Sequence, residues 1–493
     1  MSSRLSRLAV IALLLIVASP AEPRGGRKRR AWRPRPDPVM TQILGRPTDR
    51  GATLSVHSPK ALDAFVEYGA EAGKLTAKTK VTHIDAGGAA ELELVGLAPG
   101  TRVHYRLRTR SAGETAFARG PTYAFHTQRR RAESFTFALQ GDSHPERVGK
   151  MFDAELYRRT LVNVAADRPD FYVLMGDDFS IDPLIAHDAL TQASVDDVYL
   201  HQRTFLTTVG AATPLFLVNG NHEQAALALL DGTPGSPAVM AGRARNRLFP
   251  LPAPDAFYSG NSEAVQHVGL PRDYYAWTWG DALFVVIDPY WHSATAVDGG
   301  GGGKSGRKGR RGRKRDLWTI TLGDAQYRWL RETLAKTDAT YKFVFTHHVL
   351  GTGRGGIELT DLCEWGGRDR RGRWEFAEKR PGWELPIHQL MVKHRVTILF
   401  QGHDHLYARQ ERDGIVYQSV PNPADPTYTA FNREAYRSGD VFPNSGHLRV
   451  TVTSGKVTVD YVHSAMPEDE KARGKNGKVV FSYDVVPARK NLK

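Results

Sequence analysis

The sequence predicts an α/β layered domain preceded by a small all-β sandwich. Three observations predict it. Residues 39–127 carry short runs with period-two alternation between Gly and Pro turns, the pattern of antiparallel strands covered on one face. From about residue 132, compact apolar runs alternate with helical stretches, as in strands covered on both faces. The 493 residues exceed one ordinary domain, and 41% apolar content suffices for a large core.

Taken in order, residues 1–21 read as a signal peptide. Arg4 and Arg7 precede the apolar run Leu8–Ala18, and Ser19-Pro20-Ala21 supplies small residues for cleavage. A secreted or periplasmic protein is expected. No later run approaches the roughly 20 apolar residues of a membrane helix, so no transmembrane segment is expected in the mature chain. Residues 22–38 form a basic Pro/Arg linker. Within 39–127 the strand-like runs are Thr53–His57, Phe65–Tyr68, Glu91–Val95, Val103–Arg108 and Thr122–His126. Within 132–463 they are Phe135–Leu139, Phe171–Met175, Leu215–Val218, Leu283–Ile287, Phe343–Thr346 and Val396–Phe400. Ala154–Ala166 has a helical stripe of Leu156, Leu161 and Val164. Thr321-Leu322-Gly323-Asp324 suggests a capping box opening a second helix. Residues 298–315 read as a flexible basic insertion, and 464–493 as a C-terminal extension.

The net charge of +14 is concentrated. Seven cations lie between Arg24 and Arg35 and eight between Lys304 and Arg315, so the remainder is near neutral. These Gly/Pro-flanked clusters read as solvated tails that can also meet an anionic surface or polymer. No specific nucleic-acid recognition motif is present. Cys363 is the only cysteine, which excludes an intrachain disulfide and cysteine-based zinc sites. It is expected to be a packed thiol.

Five polar clusters follow five of the predicted strands: Gly141-Asp142-Ser143-His144, Gly176-Asp177-Asp178, Gly220-Asn221-His222-Glu223, Thr346-His347-His348 and Gly402-His403-Asp404-His405. In α/β sheets the loops past strand ends build the site. Carboxylate, amide and imidazole atoms are ligands for transition metals, and an aspartate can join two ions through its two oxygens. Two ions roughly 3.5–4 Å apart can hold a phosphate and generate a hydroxide.

With these motifs the chain resembles the calcineurin-like metallophosphoesterase superfamily, whose signature is D-x-H, GD, GNH[ED], a histidine after a strand, and GHxH. The resemblance implies a β-sandwich flanked by helices over 132–463. It implies hydrolysis of phosphate esters by direct attack of a metal-bound hydroxide, with two divalent or trivalent ions (Fe, Zn or Mn). Asp142, His144, Asp177 and His405 would hold one ion. Asp177, Asn221, His347 and His403 would hold the other, with Asp177 shared. His222 would contact the phosphate or protonate the leaving group. His347 rather than His348 is favoured by its place at the strand end. Asp178, Glu223, His348, Arg354 and Asp404 would stand behind the ligands or face substrate, with Glu223 and Asp404 orienting imidazoles. In the segment from Gly351 to Pro386, Arg354 or Arg380 would bind a further phosphate or carboxylate unless engaged in structural ion pairs.

Residues Leu97-Ala98-Pro99-Gly100-Thr101 followed by Val103 and Tyr105 resemble a fibronectin type III corner, with Val103 where its tyrosine stands. That module, Tyr274–Asp288 and Gln326–Leu334 make the chain similar to purple acid phosphatase-type proteins. Those use D-x-G and GDxxY. Here His144 and Ser180 occupy the two positions, so no tyrosinate colour is expected and His144 fills the vacated place. Phosphomonoesters lead as substrates, with phosphodiesters as the alternative. An anionic-polymer-binding surface protein is the reading of another class.

Overall fold

The computed structural model describes residues 34, 37–297, 316–349 and 353–487. The expected signal peptide, nearly all of the 22–38 linker and the 298–315 insertion lie outside the described residues.

The N-terminal region is all-β: β1 (Thr41–Gly45), β2 (Ala52–Ser58), β3 (Leu62–Gly69), β4 (Ala77–Lys78), β5 (Thr82–Ile84), β6 (Gly88–Leu94), β7 (Arg102–Ser111) and β8 (Ala118–His126). One sheet has the order β1-β2-β6, and the other β4-β3-β7-β8 with β5 on β3. Alternation along β3 sends Leu62, Ala64, Val66 and Tyr68 inward against Leu54, Leu92, Val103 and Phe125. Without a tyrosine at Val103, it is Tyr68 whose hydroxyl donates to the Val95 carbonyl, at 3.0 Å.

Strands β1 and β2 are buried along their whole length, because their outer face lies against the helix Gln192–Gly210 and its surroundings. There this helix inserts Arg203. Its guanidinium donates to Thr41 Oγ1 (3.0 Å), Ser55 Oγ (3.1 Å), the Ser55 and Thr41 carbonyls (3.1 and 3.3 Å) and the Leu248 carbonyl. All five acceptors are neutral oxygens. Burial lowers this group to about 9.

The strands that follow are β9 (Phe135–Gln140), β10 (Phe171–Leu174), β11 (Leu215–Leu217), β12 (Ser259–Gly260), β13 (Tyr275–Trp279), β14 (Ala282–Val286), β15 (Tyr341–Phe345), β16 (Ile398–Gln401), β17 (Tyr407–Arg412), β18 (Ile415–Ser419), β19 (Asp440–Phe442), β20 (Gly446–Val452), β21 (Val457–His463) and β22 (Val479–Val485). They form a six-stranded sheet, β11-β10-β9-β20-β21-β22, and an eight-stranded sheet, β12-β13-β14-β15-β16-β18-β17-β19. Between the sheets lies an aromatic core. Phe216 stacks on Trp277 at 4.1 Å, and Phe171 meets Phe284 edge-on at 5.0 Å. Helices Ala154–Asp167, Gln192–Gly210 and Pro237–Leu248 cover the first sheet; Gly323–Lys336 and Ile387–Lys393 cover the second.

Two sequence details change. The capping box at Thr321 does not form. Thr321 Oγ1 accepts from the Gly323 N–H at 2.8 Å, and the Thr321 N–H, which the box would give to Asp324, donates to Ser293 Oγ at 3.0 Å. The segment after 463 contributes β22, which pairs antiparallel with β21.

Candidate metal centre

Strands β9, β10 and β11 run parallel in one sheet, and β14, β15 and β16 in the other. Asp142, Asp177 and Asn221 lie just past the first three, while His347, His403 and His405 lie just past β15 and β16. Five loops therefore meet on one rim. To turn side chains back over strand ends, four of these residues take left-handed backbone: His144 (φ 49°), Asp177 (59°), His403 (66°) and His405 (51°). Each such non-glycine conformation costs about 1–3 kcal/mol, and such strain collects at functional sites. Gly220 is required by space: a Cβ there would stand 2.3 Å from Asp177 Oδ1.

The donors converge in groups, one of Asp142, His144 and His405 and another of Asp142, Asp177, His347 and His403, all buried. In the first, His405 Nε2 is 3.0 Å from Asp142 Oδ2 and 3.2 Å from His144 Nε2. In the second, His347 Nε2 is 3.2 Å from Asp177 Oδ2, 3.3 Å from His403 Nδ1 and 3.1 Å from Asn221 Oδ1. Nitrogens bound about 2.0–2.1 Å from one zinc-like ion stand about 3.3 Å apart across a tetrahedral edge. The spacing fits ligands of common ions.

Asp177 faces both donor groups, with Oδ2 toward their imidazoles. Its Oδ1 accepts the His222 N–H at 2.8 Å, leaving Oδ2 to face His347 at 3.2 Å and His144 at 3.7 Å. Asp142 is engaged likewise, its Oδ1 accepting the His403 N–H at 2.7 Å. Burial opposes a charge on His347, but Asp177 and Asp142 outweigh it and hold the imidazole up at about 10. Burial holds His144 and His403 well below the usual imidazole range.

The surrounding residues divide by partner. His347 Nδ1 donates to the Met175 carbonyl at 2.8 Å, which leaves Nε2 for the rim. His348 instead meets the Tyr290 hydroxyl through Nδ1 at 3.0 Å and stacks on His403 at 4.1 Å. Asp178 Oδ1 accepts from Gln140 and Ser143, both at 2.6 Å, and so ties the first loop to the second. Glu223 does not orient an imidazole: its oxygens accept the N–H groups of Asp178 (2.8 Å), Phe179 (3.2 Å) and Gly220 (2.6 Å). Asp404 also turns from the imidazoles, accepting from the Gly355 N–H (2.8 Å) and Tyr436 hydroxyl (2.6 Å). Arg354 donates to the His403 carbonyl and lies 3.4 Å from Asp404. Arg380 is spent on buried Glu364 and the Trp318 carbonyl, so it is not a substrate group. Cys363 is buried, and burial pushes its thiol up to about 12.

Sequence reasoning missed three residues. Glu146 Oε1 lies 2.9 Å from His144 Nδ1 and takes the Arg147 Nε–H at 3.2 Å. Burial raises Glu146 to about 7. Arg147 Nη2 lies 2.9 Å from His222 Nε2, and Asp182 Oδ2 lies 2.5 Å from His222 Nδ1. The signal for Glu146 and Arg147 was their place just after His144. Asp182 carried none.

A family model for calcineurin-like phosphoesterases matches residues 135–407. The chain belongs to that family. This calcineurin-like phosphoesterase also resembles solved structures. Purple acid phosphatase PPD1 from yellow lupin (Lupinus luteus) seeds matches with a TM-score of 0.57 at 16% identity, over 92% of this chain and 74% of that one. A structure of PhoD matches with a TM-score of 0.60 at 13% identity, over 90% and 88%. At such identities the likeness concerns the fold. No curated protein matches the chain significantly. Among the described residues no helix is long and apolar enough to cross a membrane.

Proposed function

We propose that this calcineurin-like phosphoesterase is a two-metal hydrolase of phosphate esters, with phosphomonoesters as its main substrates. The observation that carries the reading is the pair of buried donor groups that share Asp142, with Asp177 in the second and close to His144 of the first. Asp142, His144, Asp177 and His405 would hold one ion, and Asp177, Asn221, His347 and His403 the other. Two iron, zinc or manganese ions there would polarise the phosphoryl group and acidify a water. His222 is the proton donor. Asp182 fixes Nδ1; Nε2 lies 3.9 Å from Asp177 Oδ2 and 2.9 Å from Arg147 Nη2, a contact it would exchange for the departing ester oxygen. Burial disfavours its charge, yet Asp177 and Asp182 together raise it to about 9, so a proton is available for the departing ester oxygen.

The open cleft beside Arg147 and Phe431 favours a second reading, in which the same site accepts phosphodiesters. We further propose export by residues 1–21, a fibronectin-like sandwich over 39–127, a catalytic domain over 132–463, and attachment of the basic segments 22–38 and 298–315 to anionic surfaces or polymers.

The test is hydrolysis of a chromogenic monoester and diester by metal-loaded protein, with metal analysis and an Asp177→Asn control. About two ions per chain, turnover, and a loss of at least about 10³-fold in the variant are expected. Protein that binds no metal under any loading condition sinks the proposal.

A further inference from the structure

Beside the rim lies a wall that metal binding does not require. Arg147, Val148, Lys150 and Met151 line one side of a cleft of about 760 Å³, and Thr427 and Phe431 complete it. A phosphate group alone needs far less; this volume lies in the range of sites for small organic ligands. The cleft abuts the site at three points. Glu146 joins His144 to Arg147, Arg147 reaches His222, and the Phe431 ring stands nearly perpendicular to His405 at 6.4 Å. Two large apolar side chains on this wall face solvent, Val148 at 68% and Phe431 at 40% exposure. Arg147 is held at Nε by Glu146 (3.2 Å) and at Nη1 by the Met151 sulfur (3.2 Å), which aims Nη2 at the edge of His222.

We propose that this cleft is the ester-group subsite. The substrate is a phosphate ester whose organic group lays a flat apolar face on Phe431 and Val148, while Arg147 grips a phosphoryl oxygen at the mouth. The inference rests on the phosphoesterase reading above. An exposed ring gains more from a flat apolar partner than from a short alkyl chain, because the flat partner buries more area and adds a ring contact. A guanidinium held at Nε and Nη1, whose Nη2 would exchange its 2.9 Å contact with His222, offers a charge-assisted, directional contact to a phosphoryl oxygen, which a lysine does not reproduce. Lys150 adds positive charge to the same wall and draws anionic esters to it.

The test uses the full, metal-loaded chain. Binding of phenylphosphonate and methylphosphonate is measured by calorimetry, and kcat/KM is measured for phenyl phosphate and ethyl phosphate. Wild type is expected to bind phenylphosphonate about tenfold more tightly. Phe431→Ala should bring that ratio close to one while methylphosphonate binding and metal content stay unchanged. Arg147→Gln should weaken both ligands about 10–100-fold, with incomplete recovery in Arg147→Lys. Equal wild-type affinities, or a ratio untouched by Phe431→Ala, overturn the subsite while turnover of both esters leaves the phosphoesterase reading standing. No turnover of either ester by wild type overturns that reading and this inference with it.

Discussion

Two buried polar clusters lie at adjacent residues of one helix. Gln202 reaches toward the metal rim, donating to Ser143 Oγ at 2.7 Å. Arg203, next in sequence, reaches the N-terminal sandwich and ends on five neutral oxygens. The sandwich cluster is closed: its donors have acceptors, and the charge is delocalised over a planar group that accepts burial better than most. The rim is open. Imidazole nitrogens stand 3.2 and 3.3 Å from one another, and carboxylates face the same point. Structural polar networks pair donor with acceptor, whereas a ligand site aims like groups at a shared place. This separates the two clusters better than burial, which is nearly complete in both.

The contrast can be broken from the rim. His222→Ala should lower kcat about 10²–10⁴-fold with both metals retained, as measured by turnover and metal analysis. The group acts in its protonated form, so wild-type activity should fall on the alkaline side as the imidazole loses its proton, and this limb should vanish in the variant. Loss of metal along with activity would instead make His222 a ligand.

From the sandwich side, Arg203→Ala should cost about 3 kcal/mol in denaturant unfolding, because Thr41, Ser55 and Leu248 oxygens lose their donor in a dry interface. The metal content of folded protein should not change. A smaller effect is expected at the neighbouring residue. Gln202→Leu removes the support of Ser143 and, at 3.4 Å, of Asp178, and should weaken metal affinity about tenfold in a chelator competition.

The smallest effect is one of pH. Burial, together with the Arg203 and Arg247 charges, lowers His57 in β2 to about 4. The unfolded chain binds the proton more readily between about 6.5 and 4, so stability should fall as pH drops through that window, by about 1–2 kcal/mol. His57→Gln should flatten the slope in unfolding titrations at pH 7 and pH 4.5.

The residues gathered on the rim were legible because each follows a compact apolar strand within a short motif. The same holds for the layered fold, whose strands are apolar on both faces. Glu223 and Asp404 could not be placed from sequence: their motif neighbours are histidines, but their folded partners are backbone N–H groups and a tyrosine. The strand at 479–485 went unread since its alternation is that of an exposed sheet edge.

By itself, then, the sequence determined which polar side chains follow the strand ends and which strands end beside them. Those are local properties: residue type, period and the glycine spacing of each loop. The tertiary structure decided what is not local. It directed Asp182 to His222 and Glu146 to His144, turned Asp177 Oδ2 toward His144 and His347, and seated the sandwich on Arg203. The physical reason is that a hydrogen bond depends on distance and direction in space, and sheet packing brings together groups that the chain order keeps far apart.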